Sequence, residues 1–422
     1  MSPPAWSRRP GWPLAGLALS IALVAAVTLV PNPGDLARHC PFLALECGQA
    51  ITLDIVTNVV LFLPFGLCLR WTGRRPRAVF GGALLLSFLV ELAQGPLVPG
   101  RDAALRDVLS NGAGGLAGAW SFEAARNVRA MGTRGLRMLG RTCAAGALGA
   151  LTLGMVLLQG SLPEGVWYGQ REPGGFEFER FTGSVIDARV GGYTLDWGPI
   201  ENEGSPREWT PSDTAPLWTE TISPRGPSRG WAPIVAVVDR KAVRIARLAQ
   251  VGGNLVFEPR VKAEDWGLGG LSIRTTGSVV SNATDTLVVS ASFVGGRLEV
   301  RHRSRHQLES ETVSQQIGPI TAWRTLVPFR WALQPATASL LDGVALALLF
   351  APLGILCRLA DRRSILSDSI VTVLVAALAL SGLPWRLYPA HWASWLGVGV
   401  GWWLGFWIVA RRARTTAVTG AR

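Results

Sequence analysis

Apolar runs of about bilayer-spanning length, bounded by arginines, limit what this chain can fold into. They lie at residues 14–30, 53–71, 78–97, 107–122, 142–159, 338–357, 365–383 and 392–410. Nearly half the chain is hydrophobic, and its net charge of +12 is carried almost wholly by arginine, since Lys241 and Lys262 are the only lysines. Arg70, Arg74, Arg75 and Arg77 crowd one loop, Arg126, Arg129, Arg134, Arg137 and Arg141 a second, Arg358, Arg362 and Arg363 a third, and Arg411, Arg412 and Arg414 the tail. The loops between these are nearly free of arginine. That alternation is the positive-inside pattern, which marks loops kept in the cytoplasm. It predicts about eight transmembrane helices with both termini cytoplasmic and residues 160–335 outside. The basic excess is therefore a topology signal, and no nucleic-acid partner is expected. The first run, behind Arg8 and Arg9, also has the form of a signal peptide; a retained helix is the preferred reading.

Three consecutive runs carry polar residues that a lipid-facing helix would exclude. Asp54 and Asn58 share one helical face at i, i+4, Glu91 and Gln94 another at i, i+3, and Asp107 and Asn111 a third. Gly112, Gly114, Gly115 and Gly118 follow and permit close helix contact. A short loop between the second and third runs holds Arg101 and Asp102. Ionisable groups in membrane helices are functional candidates by default. By topology the polar set sits at the outer ends of its helices, forming an outer-leaflet cup with Arg101 at the rim. The alternative makes Asp54 and Asp107 N-caps, the amides interhelical hydrogen-bond glue, and Glu91–Arg101 a structural ion pair.

This stretch, roughly residues 40–120, resembles the VanZ-like family of bacterial membrane proteins. The family pairs an N-x-x-L-F-x-P-x-G helix with an E-x-x-Q helix, then an Arg-containing loop and a D-x-x-x-N-x-x-G helix. The matching positions are Asn58, Leu61, Phe62, Pro64 and Gly66; Glu91 and Gln94; Arg101; and Asp107, Asn111 and Gly114. The resemblance implies a membrane protein with a cell-envelope role, engaging lipid-linked or peptidoglycan-related head groups and lowering glycopeptide (teicoplanin) susceptibility.

The chain repeats itself. LDIVTNVVLFLPFGLCLRW aligns without a gap to LDGVALALLFAPLGILCRL, pairing Asp54 with Asp342, Pro64 with Pro352 and Gly66 with Gly354. Two degenerate four-helix halves in the same orientation follow. The second has Leu346 for Asn58, Ala379 for Glu91 and Gly382 for Gln94, so the site is expected in the first half alone.

Residues 160–335 are different material, with apolar alternation at period two. Strands are expected at 233–238, 242–249, 254–261 and 270–275, with a hairpin of 288–294 and 297–303 around Gly295-Gly296. An antiparallel β-sandwich results, similar to the laminin-G or concanavalin-like domains that some VanZ-like proteins carry. The expected domains are a four-helix half at 1–141, a fifth span at 142–159, the sandwich at 160–335, three spans at 336–410 and a basic cytoplasmic tail at 411–422. Trp167, Trp197, Trp209, Trp218, Trp231 and Trp266 are either sandwich core or stacking platforms for sugars.

Cys40 and Cys47 flank a short loop that forms a disulfide if it faces an oxidising compartment, and otherwise holds two thiols. His39, His302, His306 and His391 have no metal-ligand spacing, and neither metal nor cofactor is expected. Three functions remain open: the outer cup acting on a cell-wall or lipid-linked molecule, a membrane-anchored module binding glycan or protein through its sandwich, and an enzyme on a lipid carrier. The last lacks any GxSxG, HExxH or phosphatase-type histidine set.

Overall fold

The computed structural model describes residues 11–29, 51–98, 104–128, 130–163, 165–174, 179–190, 193–200, 218–223, 226–228, 230–276, 286–304, 309–326, 335–359 and 396–404. The Cys40–Cys47 loop, Arg101 and the run at 365–383 lie outside them. The chain divides into two units, Met1–Met131 and Gly132–Arg422.

The first unit is built from α1 (Gly11–Thr28), α2 (Ile51–Trp71), α3 (Pro76–Leu97) and α4 (Leu105–Val128). Helix α2 stops where Gly73 enters the left-handed region at φ +96°, a conformation that costs glycine nothing. The next helix opens with Pro76 after an extended Arg75, because proline at a first helical position loses no hydrogen bond. Helix α4 packs on α2 through glycines. A Cβ added at Gly66 would strike the backbone of Gly115, one at Gly114 the Val59 carbonyl, and one at Gly118 the Leu63 carbonyl. On the other side of α4, a Cβ at Gly112 would come 2.5 Å from Leu84 Cδ2, and one at Gly115 2.5 Å from the Ala83 Cβ. Helix α4 is thus held at backbone distance from α2 and at small-side-chain distance from α3. Phe62 and Phe65, edge to face at 6.0 Å, bury beside Val24 and Ala83.

Ion pairs lock the same two helices at both ends. Arg106 in the first turn of α4 reaches Asp54 in the first turn of α2 at 3.0 Å. At the opposite end Arg70 pairs with Glu123 and lies 5.8 Å from the Phe122 ring centroid. The parallel run of the two helices makes this possible: start meets start and end meets end, and each helix carries opposite charges at its two ends.

Among the described residues the second unit holds α5 (Thr133–Leu157), twelve strands, the short α6 (Lys262–Asp265), a 3₁₀ helix (Pro319–Leu326) and α7 (Pro335–Leu359). The strands are β1 (Trp167–Arg171), β2 (Ser184–Val190), β3 (Tyr193–Thr194), β4 (Gly198–Pro199), β5 (Trp218–Ser223), β6 (Trp231–Asp239), β7 (Arg244–Val251), β8 (Asn254–Pro259), β9 (Ile273–Arg274), β10 (Leu287–Val294), β11 (Arg297–Ser304) and β12 (Glu311–Gln316). They form two six-stranded antiparallel sheets, ordered β4-β1-β6-β7-β8-β9 and β12-β11-β10-β5-β2-β3. One apolar core joins residues of both, among them Trp167, Ile222, Leu248, Phe257 and Leu298. The expected hairpin is present, with Val294 opposite Arg297 and both Gly295 and Gly296 at positive φ, as a primed turn requires.

Below the sheets, Gly154 of α5 lets the 3₁₀ helix approach; a Cβ there would meet Ala322 at 2.7 Å. Leu151, Ile320, Leu346 and Phe350 close a small core between these pieces. Residues 396–404 are helical, and a Cβ at Gly397 or Gly401 would strike the carbonyl of Gly343 or Ala347 on α7.

Helices α1, α2, α3, α5 and α7 are each long and apolar enough to cross a membrane, which marks a multi-pass membrane protein. Helix α4 is as long but is diluted by glycines and charged ends. It begins two residues before the expected start and runs on to Val128, while α5 begins at Thr133, well before the expected position 142.

Two predictions follow from packing and burial. Gly118→Leu forces α4 off α2 and should cost about 3 kcal/mol or more in detergent-solubilised thermal stability. Gly146→Leu on α5, where an added Cβ meets nothing within 4 Å, should change little by the same measurement. In the sheets, burial holds the His302 pKa below its ordinary 6.5, opposed by the charge of Glu311 at 3.6 Å. The unfolded chain then takes up the proton first as pH falls, so stability present above 6.5 is lost on going down through that value. Melting curves from about pH 7 to about pH 5 should show a smaller acid loss for His302→Gln than for wild type.

Candidate functional site

The polar residues of the first unit fall into two layers at one end of the bundle. The first contains Asp54, Glu91, Gln94, Arg106 and Asp107, contributed by the start of α2, the end of α3 and the start of α4. The second lies about one helical turn further in, roughly 6 Å, and contains Asn58, Ser87 and Asn111.

Each side chain of the E-x-x-Q pair satisfies the exposed terminus of a neighbouring helix. Glu91, buried at 2% exposure, accepts the Ala104 N–H at 2.9 Å. Ala104 in turn accepts the first amides of α4, from Asp107 and Val108. The carboxylate therefore anchors the chain where α4 begins. Gln94 donates from Nε2 to the Thr28 carbonyl at 2.8 Å, one of the unsatisfied acceptors at the end of α1. Buried Asn111 donates to Ser87 Oγ at 2.8 Å, tying α4 to α3 in the second layer. Asn58 is half-buried and makes no side-chain hydrogen bond among the described residues. Among the described residues, Glu91, Gln94 and Asn111 of the expected cup thus each tie one helix to another.

Arg106, just before the expected start of the third polar run, is a residue that sequence reasoning missed. Its side chain is 11% exposed; it donates from Nη2 to Asp54 at 3.0 Å and lies 3.6 Å from Asp107 through Nε. Its Nη1 has no hydrogen-bond partner among the described residues, and neither does Asn111 Oδ1. Arg106 Nη1 in the first layer is thus a buried donor and Asn111 Oδ1 in the second a buried acceptor, features by which a bound polar group would be recognised. Its spacing from Asp54, i and i+52, carries no local signal; only the packing of α4 against α2 brings the two together.

The N-cap readings change. Ala104, not Asp107, occupies the cap position of α4, with Asp107 three residues on in its first turn. Asp342 lies seven residues inside α7 and caps nothing. Both its oxygens are engaged from the 3₁₀ helix, Oδ1 by Trp323 Nε1 at 2.7 Å and Oδ2 by Arg324 Nη2 at 2.7 Å. It is a buried joint between α7 and the segment that precedes it.

The tryptophans also separate. Trp167 is core, and Trp231 lies under Arg247, whose guanidinium sits 4.9 Å from the ring centroid. Trp197 and Trp266 are each 65% exposed. Trp209 and the Trp218 side chain lie outside the described residues. Trp197 borders a shallow depression of about 370 Å³ shared with Tyr168, Gln170, Asp239 and Arg240. Asp239 is occupied there, accepting the Lys241 and Val243 amides of its own turn at 2.8 Å. Nearby in the same sheet, burial alone would lower the Arg244 pKa, but the carboxylates of Glu258 and Glu264 outweigh it and hold the guanidinium charged.

Residues 18–126 match the VanZ/LLP1 family model. No curated protein and no solved structure matches the chain. The matched segment contains every polar tie of the first unit, and its motif positions Phe62, Gly66 and Gly114 are the packing residues described above.

The two arginine–aspartate pairs should differ in what they hold. Asp54 is 43% exposed, so Arg106→Met should lower thermal stability by no more than about 1 kcal/mol. Arg324 and Asp342 are 8% and 10% exposed, and Arg324→Met, which strands a buried carboxylate, should cost about 3–5 kcal/mol. Parallel melting curves of the two variants check the ranking.

Proposed function

Proceeding from a VanZ-like protein, matched over residues 18–126, we propose that the polar end of α2–α4 engages the head group of a lipid-linked or peptidoglycan-related molecule. Lowered susceptibility to glycopeptides such as teicoplanin follows as a consequence in the cell envelope. The observation that carries this reading is Arg106, a guanidinium inside a helix bundle with its Nη1 unengaged among the described residues. Its planar fork suits phosphate or carboxylate, the anionic groups of such molecules. Glu91, Gln94 and Asn111 act as positioning residues, fixing the helix ends that frame it. With Asp54 and Asp107 beside it, the arginine is largely charge-compensated, which favours a ligand that also presents hydroxyls over a bare anion.

The arginine distribution supports facing this end outward in the bacterial inner membrane, with both termini cytoplasmic and residues 160–335 outside. An arrangement of eight spans in two parallel halves is supported by one shared contact. Val59 and Ala347 are equivalent in the gap-free alignment, and each has its carbonyl against a helix glycine, Gly114 and Gly401 respectively.

A second reading rests on Trp197. An exposed indole beside Tyr168, Gln170 and Arg240 has the composition of a sugar-stacking platform. In that reading the sheets act as a laminin-G or concanavalin-like module binding cell-wall glycan, and the helices anchor it.

The test is complementation of a strain lacking the gene, scored by teicoplanin susceptibility with membrane levels checked. Arg106→Ala should abolish protection, Arg106→Lys should retain part of it, and Trp197→Ala should leave it whole. Full protection by Arg106→Ala at normal level ends the head-group reading, and loss with Trp197→Ala alone establishes the glycan module instead.

A further inference from the structure

Helix α5 fixes a level in the membrane for part of the sheet domain. Its first turns carry Arg134, Arg137 and Arg141, after which the sequence is apolar. From Arg141, a hydrocarbon layer of about 30 Å is crossed in about twenty helical residues. The helix ends at Leu157, so the stretch 158–162 lies at the surface of the leaflet through which the chain leaves the bilayer.

That stretch is not a free linker. Gly160 bridges to Val261 in antiparallel fashion, Ser161 N–H donates to the Arg260 carbonyl at 3.2 Å, and Lys262 N–H donates to the Gln159 carbonyl at 2.9 Å. Side chains add to it: Lys262 Nζ donates to Gln159 Oε1 at 2.8 Å, and Ser161 Oγ to Asp265 Oδ2 at 2.6 Å. Helix α6 and the residue after it are therefore held at the membrane surface by the way the chain exits α5. That next residue is Trp266, 65% exposed, and Leu162 on the exit strand is 43% exposed. These two present apolar surface beside the exit of α5, where lipid begins.

We propose that Trp266 and Leu162 form a membrane foot, inserted at the head-group level of the leaflet that α5 leaves. Tryptophan partitions to this zone because its ring is apolar and its N–H still needs a polar partner. The neighbouring charges do not form an anionic-lipid site: Arg260 is paired with Asp265 at 2.6 Å and Lys262 is held by Gln159. The foot therefore works by aromatic partition and is independent of lipid charge. It fixes the tilt of the sheet domain over the bilayer instead of leaving it on a swinging connection.

The experiment places an environment-sensitive fluorophore on Trp266→Cys in the full chain with its native cysteines replaced, reconstituted in phosphatidylcholine nanodiscs. Trp197→Cys, at the same exposure, is the reference. The label at 266 should emit to the blue of that at 197, lose quenching by aqueous iodide and gain quenching by a head-group-level nitroxide lipid. Leu162→Cys should report the same shift, which keeps the test intact if replacing Trp266 disturbs the fold. Equal iodide quenching at 266 and 197 overturns the proposal, as does shielding from both quenchers, which would place the ring against protein. A blue shift that appears only with anionic lipid also overturns it.

Discussion

The approach of α4 to α2 at backbone distance is the constraint on which the first unit depends. Only glycine at 66, 114 and 118 leaves room for the facing carbonyls, and no side-chain adjustment can relieve a clash with backbone. Because the helices touch along their length, the charged residues in their first and last turns fall opposite one another. Asp54 then meets Arg106, and Arg70 meets Glu123, from positions more than fifty residues apart in sequence. The polar end of the bundle is thus a product of glycine packing, which explains why the family motif mixes Gly66 and Gly114 with Asn58, Glu91 and Asp107.

The division of labour among the motif residues follows from hydrogen-bond accounting. A helix leaves four amides and four carbonyls without internal partners at its ends, and lipid offers none in their place. Glu91 and Gln94 supply partners to the start of α4 and the end of α1, so an intramembrane carboxylate has a structural reason to be there. Arg106 has less of one. Its partner Asp54 is half solvent-facing, its Nη1 is left over, and the pair contributes little to holding helices that glycine contacts already fix. A costly group in a low-polarity bundle with a weak structural role is the better candidate for ligand recognition.

What could be read from the chain beforehand divides along local and non-local lines. Strands β6, β7, β8, β10 and β11 show apolar runs or alternation, and the Gly295-Gly296 turn was legible from its dipeptide. Strand β12, ETVSQQ, was not: it is a largely exposed edge strand with little apolar content, defined by pairing to β11 and not by its own pattern. Strand β5, WTETIS, sits centrally between β10 and β2 but is polar at alternate positions and follows a polar stretch without periodicity. The site divided the same way. Residues on one helical face could be grouped by spacing, whereas Arg106 and Ser87 required knowing which helices touch.

Asp342 shows why a repeated residue need not repeat its role. It aligns with Asp54, yet its carboxylate is buried and met by Arg324 and Trp323 from the 3₁₀ helix that follows the last sheet strand. Both oxygens are used, and the Gly269 N–H donates to the neighbouring Thr325 carbonyl at 2.8 Å, binding the sheets to the same segment. Exposure decides between the two uses. A carboxylate sealed from water must be fully paired, and a fully paired group has nothing left to offer a ligand. At position 54 the carboxylate is 43% exposed and reaches solvent, so water can enter the pair with Arg106. One helix pattern therefore carries a sealed joint at Asp342 and a solvent-reaching pair at Asp54.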